Sequence, residues 1–198
     1  MLWSVDDRSL LPGKDVTILT TNYDRSLEHY LTSVATMRGH LTPNTATFGV
    51  VGPHRTVVAQ GPTIIHLYGQ LGYLQGKTGV RDYSTKCDAD TVRIAAHGLR
   101  TLSDADVGSP AFSIAREAIR NSTKVFFLGF GFHRQTVERL FDFTNKKVLR
   151  QKIISGTTKG FSLKQWDKVL HDVLRGHWTP VTVGNSVQAF LKEQSVLD

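Results

Sequence analysis

Residues 18–31, Ile18 to Leu31, read ILTTNYDRSLEHYL, and how this stretch is read decides the fold. It leaves a short β-rich run, Val16 to Thr20, and ends in a helical pattern. Leu27, Tyr30, Leu31 and Val34 stand at i, i+3, i+4 and i+7, the spacing of one helix face. Between strand and helix lie Thr21, Asn22, Tyr23 and Asp24, which bring an amide, a phenol and a carboxylate to one handover. A turn requires one or two such groups. Asp24 suits the start of a helix, where a cap or a charge facing the dipole contributes ~1 kcal/mol. Asn22 suits a turn of unusual backbone angles. The remaining polarity asks for a ligand.

The same strand-then-helix rhythm recurs along the chain. Thr63 to Leu67 reads as a second buried strand, closed by a turn at Gly69. Ser109-Pro110 is a helix start, and the helix it opens aligns Phe112, Ala115 and Ile119. Lys124 to Leu128 is the strongest strand and runs into Gly129-Phe130-Gly131, followed by a helix with Val137, Leu140 and Phe141 inward. Lys152 to Ser155 is a further strand. Ser162 with Gln165 forms a capping box before Trp166, Val169, Leu170 and Val173. A last helix after Asn185 presents Val187, Phe190 and Leu191. Strands alternating with amphipathic helices predict one α/β domain over 1–198 with a mostly parallel sheet. Two segments break the rhythm: a hairpin inserted at about 40–61, around Gly52-Pro53-His54, and a polar lid or insertion at about 74–105 with a weak helix near Val92.

The chain has 198 residues, 40% of them hydrophobic and 21% charged, which fits one soluble globular domain. A single cysteine, Cys87, excludes an internal disulfide, and no signal-peptide pattern opens the sequence; a cytoplasmic setting is expected. The net charge of +7 is uneven. Residues 145–198 hold nine basic and four acidic side chains, with Lys146, Lys147, Arg150 and Lys152 close together. Such a face suits solvent, or nucleic acid or an acidic partner.

If the sheet is parallel, three strand ends bring their chemistry to one edge: Thr21 to Asp24, then His66-Leu67-Tyr68-Gly69, then Gly129-Phe130-Gly131-Phe132-His133. Each residue also has a structural role open to it. His66 sits inside an apolar strand, where a hydrogen-bonded core histidine is common, and Tyr68 suits a half-buried ring with a wet hydroxyl. Several chemistries find no support. Arg134 stands where a dinucleotide fingerprint requires its last glycine. There is no Gly-x-Ser-x-Gly elbow, no phosphate loop with Lys-Ser/Thr, and no His/Cys/Asp set at metal-ligand spacing, so no metal is expected.

Taken in order, TTNYDRSLEHYL, IIHLYGQLG and VFFLGFGFHRQTVERL resemble the sirtuin-like superfamily, in its divergent bacterial branch. The resemblance covers roughly Thr17 to Phe141 and continues weakly to Gly156. It implies a Rossmann-like three-layer α/β domain, with helices on both faces of the sheet, that binds NAD and cleaves its nicotinamide–ribose bond. By resemblance, Asn22 lies by the nicotinamide ribose and the reactive water, Asp24 helps hold the carboxamide, Thr21 lies beside them, and Gly129 and Gly131 let backbone approach the adenosine side. Such cleavage develops oxocarbenium character at the ribose, so it requires a nearby polar group and a base for the acceptor.

Two features depart from the family. Relatives carry His immediately before the glycine where this chain has Tyr68, and neutral tyrosine, with a reference pKa of about 10, is a weak base. His66 is two residues earlier, on the same face of a strand, and is the candidate substitute. The Gly-Ala-Gly-x-Ser phosphate loop and its strand have no counterpart before Asn22, so the chain looks like the C-terminal portion of the domain. In bacteria such domains look like oligomeric NAD-hydrolase effectors of anti-phage defence, attached to a sensor module. Deacetylation is less favoured, because no four-cysteine zinc module is present. The alternative is a catalytically silent module that binds a protein partner, or nucleic acid through the basic face.

Overall fold

The computed structural model describes residues 16–37, 49–50, 55–57, 62–71, 88–101, 109–141, 143, 149–178 and 186–193. Cys87, Lys146, Lys147 and the hairpin tip at Gly52 to His54 lie outside them, as does most of 74–105. The chain divides into two compact units, residues 2–113 and 114–198. Its fold class is α/β and Rossmann-like, with two small sheets that each hold one parallel strand pair.

In the first unit the order is β1 (Thr17–Thr20), α1 (Ser26–Met37), β2 (Gly49–Val50), β3 (Arg55–Val57), β4 (Thr63–His66) and α2 (Ala89–His97). The sheet runs β1-β4-β3-β2. β1 and β4 are parallel, with Ile18 opposite Ile64 and Thr20 opposite His66, whereas β2 and β3 join antiparallel through β4. β4 is central, and Ile64 and Ile65 are fully buried, which explains its unbroken apolar run. Strand β4 ends at His66, one residue earlier than the sequence suggests, so strand alternation does not carry through to Tyr68, which lies in the following turn.

Helix α1 is rotated from its expected face. Leu31 is buried and Leu27 half-buried, but Tyr30 is 42% exposed and Glu28 only 1% exposed. The apolar spacing alone predicts Tyr30 inward. The helix instead turns a carboxylate into the interior, where His66 of β4 receives it.

The second unit contains most of α3 (Pro110–Asn121), then β5 (Lys124–Phe127), α4 (Arg134–Leu140), β6 (Ile153–Gly156), α5 (Leu163–Lys168), a π-helical turn (Val169–Val173) and α6 (Val187–Glu193). β5 and β6 pair in parallel, Lys124 opposite Ile153 and Phe127 opposite Gly156. On α3, Phe112, Ala115 and Ile119 are all buried, and on α4 so are Val137 and Leu140, with Phe141 just after it. Ser162 and Gln165 make the reciprocal capping box. Past it the helix widens, Leu174 N–H reaching Val169 O, and only Trp166 and Val173 of the expected stripe are buried. Phe190 of α6 is fully buried, edge-on to Phe126.

Lys152 is half-buried, and its ammonium is engaged by backbone. Its ammonium donates to Arg120 O at 2.9 Å and to Ser122 O, which satisfies carbonyls at the end of α3, and burial lowers its pKa. Of the four clustered cations, Arg150 is the one described as exposed. No helix among the described residues is long and apolar enough to cross a membrane.

Candidate functional site

The parallel pairing of β1 and β4 places the first two sequence clusters at one edge of one sheet. The segment after β1 is held there from several directions. Leu67 N–H donates to Thr20 O at 2.9 Å, and Leu71 N–H donates to Tyr23 O at 2.9 Å. The Tyr23 hydroxyl donates to Arg100 O at 2.9 Å, and Arg100 N–H returns to Tyr68 O at 2.8 Å. Asn22 N–H donates to Thr20 Oγ1 at 3.1 Å. The Asn22 carbonyl accepts from His66 Nδ1 at 2.9 Å, while His66 Nε2 pairs with Glu28 Oε1. Gly69 turns at φ +89° and bridges to Leu99, so close that a β-carbon there would collide with Gly98 O.

This bonding engages the loop's backbone and leaves two side chains uncommitted. Asn22 is exposed and Thr21 half-buried, and neither side chain makes a hydrogen bond among the described residues. The reason for the polar knot is therefore divided. Tyr23 and Asp24 hold the loop; Asn22 and Thr21 are presented by it.

Asp24 is in part a helix-start residue. Its Oδ1 accepts from Ser26 N–H at 3.0 Å. Its pKa is lowered, first by the Ser26 hydroxyl, then by that amide, with a smaller share from His66. A carboxylate whose folded pKa is depressed stabilises above its unfolded pKa and loses that stabilisation as pH falls through the folded value. Because Asp24 is exposed, Asp24→Ala is expected to cost no more than ~1 kcal/mol near neutrality. That difference from wild type should close as pH drops below about 4. Urea denaturation across pH 3–7 checks this, and a difference constant over the range would refute the cap.

His66 and Tyr68 do not stand side by side as reactive groups. His66 is 1% exposed with both ring nitrogens engaged, and Tyr68 is buried, with its ring edge-on to Phe112 at 5.6 Å. Two buried polar residues near this edge escape a sequence reading. One is Glu28, whose burial depends on a histidine far along the chain. The other is Gln70, directly after Gly69, whose Oε1 is buried with no hydrogen-bond partner among the described residues. Its only signal in the sequence is a long polar side chain directly after the Gly69 turn. An orphaned amide oxygen costs about 1–3 kcal/mol. Gln70→Leu is therefore expected to raise the unfolding midpoint while weakening ligand binding. A variant that is destabilised would show that Gln70 is paired in solution.

In the second unit, the third cluster is mainly an aromatic anchor. Gly129 N–H donates to Thr157 Oγ1 at 2.8 Å, and Thr157 N–H donates to Phe127 O, which ties the ends of β5 and β6 together. Phe132 has φ 50°, a conformation that costs a side chain about 1–2 kcal/mol. Its ring meets Phe127 at 5.0 Å, Phe130 at 5.3 Å, Trp166 at 5.3 Å, Trp178 at 5.8 Å and Phe161 at 5.9 Å. Such pairs contribute about 0.5–1.5 kcal/mol each, so they outweigh the backbone cost. Gly129 and Gly131 are exposed, and nothing stands within 4 Å of the place where Gly129 lacks a β-carbon.

Among the described residues no group of three or more His, Cys, Asp or Glu side chains is placed to hold a metal ion. Neither the curated proteins nor the solved structures give a match to the chain. A family model, the SIR2-like domain, matches residues 16–154, a span that starts in the first unit and ends in the second. The chain therefore belongs to the SIR2-like domain family, a sirtuin-like group that binds NAD.

Proposed function

We propose that this chain binds NAD at the β1–β4 edge and hydrolyses its nicotinamide–ribose bond, acting in the cytoplasm as a bacterial anti-phage effector domain. The observation that carries the reading is the uncommitted carboxamide of Asn22 on a loop otherwise tied down by hydrogen bonds. The fixed backbone keeps this polar group close to where a ligand at the edge would develop charge. The residues present suit such a ligand. Asn22 and Thr21 offer donors and acceptors, and the buried Gln70 Oε1 awaits a donor. Asp24 keeps one oxygen on Ser26 and contributes charge. For the second unit taken by itself, the exposed turn at Gly129 and Gly131 is proposed as a place where a ligand can approach backbone. The family match across both units supports reading them as parts of one domain.

A second reading, binding without cleavage, has its own observation. Tyr68, at the position where the resemblance expects a histidine base, is buried against Phe112, and His66 has both nitrogens occupied. Calorimetric titration with NAD, followed by assay of released nicotinamide, separates the readings. Binding with release supports hydrolysis. Binding without release supports a module that holds NAD without cleaving it, and absence of NAD binding overturns both of these readings and leaves the module that binds a protein partner or nucleic acid.

A further inference from the structure

Glu28 and His66 are each 1% exposed. The Asn22 carbonyl can only accept, so His66 Nδ1, 2.9 Å away, must carry a proton and donate it. Nε2 faces Glu28 Oε1, so one further proton lies between those two atoms. The pair is then net neutral, as imidazolium with carboxylate or as imidazole with carboxylic acid, the forms that burial tolerates. In either form no ring nitrogen remains to take a proton from a ligand.

We propose that Glu28 and His66 are a buried positioning pair that sets the Asn22 peptide, and through it the direction of the Asn22 carboxamide. This rests on the reading of the β1–β4 edge as the NAD site. His66 stands on β4 and Glu28 on α1, two regular elements that bracket the loop between β1 and α1. Helix α1 fixes the imidazole plane through Nε2, and the imidazole fixes the Asn22 carbonyl through Nδ1. The rotation of α1 that exposes Tyr30 is what brings Glu28 to the ring. His66 thus takes a positioning role, and Asn22 remains the group presented to the ligand.

The test uses amides that imitate one imidazole nitrogen at a time in the full chain. In E28Q the glutamine amide can donate to Nε2 without a shared proton. In E28Q/H66N the asparagine N–H takes the place of Nδ1, and in E28Q/H66Q the glutamine amide reaches toward the place of Nε2. The double variants leave no buried carboxylate without its partner. NAD affinity is expected within about threefold of wild type in E28Q, and at least about tenfold weaker in E28Q/H66Q than in E28Q/H66N. Equal affinities in the two double variants would overturn the proposal, because a merely space-filling histidine predicts equality. Imidazole nitrogen NMR reads the pair without NAD. His66 should carry its proton on Nδ1 in wild type and E28Q, with the Asn22 and Tyr23 backbone amides displaced in E28Q/H66Q and not in E28Q/H66N. A proton on Nε2 in E28Q, or undisplaced amides in E28Q/H66Q, would overturn it. A wild type that binds no NAD sinks the functional reading alone, and the NMR result then decides the pair.

Discussion

Asn22→Ala is expected to lower nicotinamide release from NAD at least about 100-fold, the usual loss when one preorganised polar group is removed from a transition-state site. The melting temperature should hardly move. The reason lies in how the residue is attached. Its backbone carries the structural bonds, N–H to Thr20 Oγ1 and carbonyl from His66 Nδ1, and truncating the side chain breaks neither. The carboxamide is exposed and bonds to nothing among the described residues, and a surface change of that kind stays within about 0.5 kcal/mol. Asn22→Asp refines the result. It keeps the shape and an acceptor oxygen but removes the N–H donors, so activity retained in Asp and lost in Ala would assign the acceptor. If the chain binds NAD without cleaving it, the same two substitutions are read as affinity, with Ala at least about tenfold weaker. Undiminished release, or undiminished affinity, would remove Asn22 from the site.

The strand-to-helix handover that places Asn22 was legible because its cause is local: β-rich residues, a polar turn, then helical spacing. The parallel neighbour β4 was legible from its apolar run. What sequence reasoning missed at the site has long-range causes. Glu28 looks like a solvent-facing residue of an amphipathic helix until its partner is known, and that partner is on another element. Yet His66 carried a clue, since an imidazole inside an apolar strand must find polar partners. The ties from Tyr23 to Arg100 and from Arg100 to Tyr68 involve main-chain atoms, which leave no trace in residue identity. The third cluster carries a packing role that its glycines do not announce. Its glycines suggest a ligand turn, whereas the phenylalanines that follow each of them carry the packing the structure describes. Phe130 and Phe132 both enter an aromatic cluster, and the unusual backbone of Phe132 accompanies that packing.

Gly156→Ala should be the most damaging alanine substitution among the described glycines of the second unit, at about 3 kcal/mol or more. Gly156 pairs with Phe127 across β5 and β6, and a β-carbon there would fall inside the contact radius of Phe127 O. The obstacle is backbone, not the movable end of a side chain. Phe127 O already accepts from Thr157 N–H at 2.8 Å, and the Phe127 ring is locked among Phe130, Phe132, Phe141 and Trp178. Relief would require the two strands to part, which also strains the Gly129 N–H bond to Thr157 Oγ1. Gly129→Ala is the matched control. Its φ of +62° costs alanine about 1–2 kcal/mol, but its β-carbon would enter open space. Chemical denaturation of the two variants should therefore rank Gly156→Ala well below Gly129→Ala. The reverse order would show that β5 and β6 lie farther apart in solution, and that the close approach at Gly156 does not fix the sheet edge from which the Gly129 turn emerges.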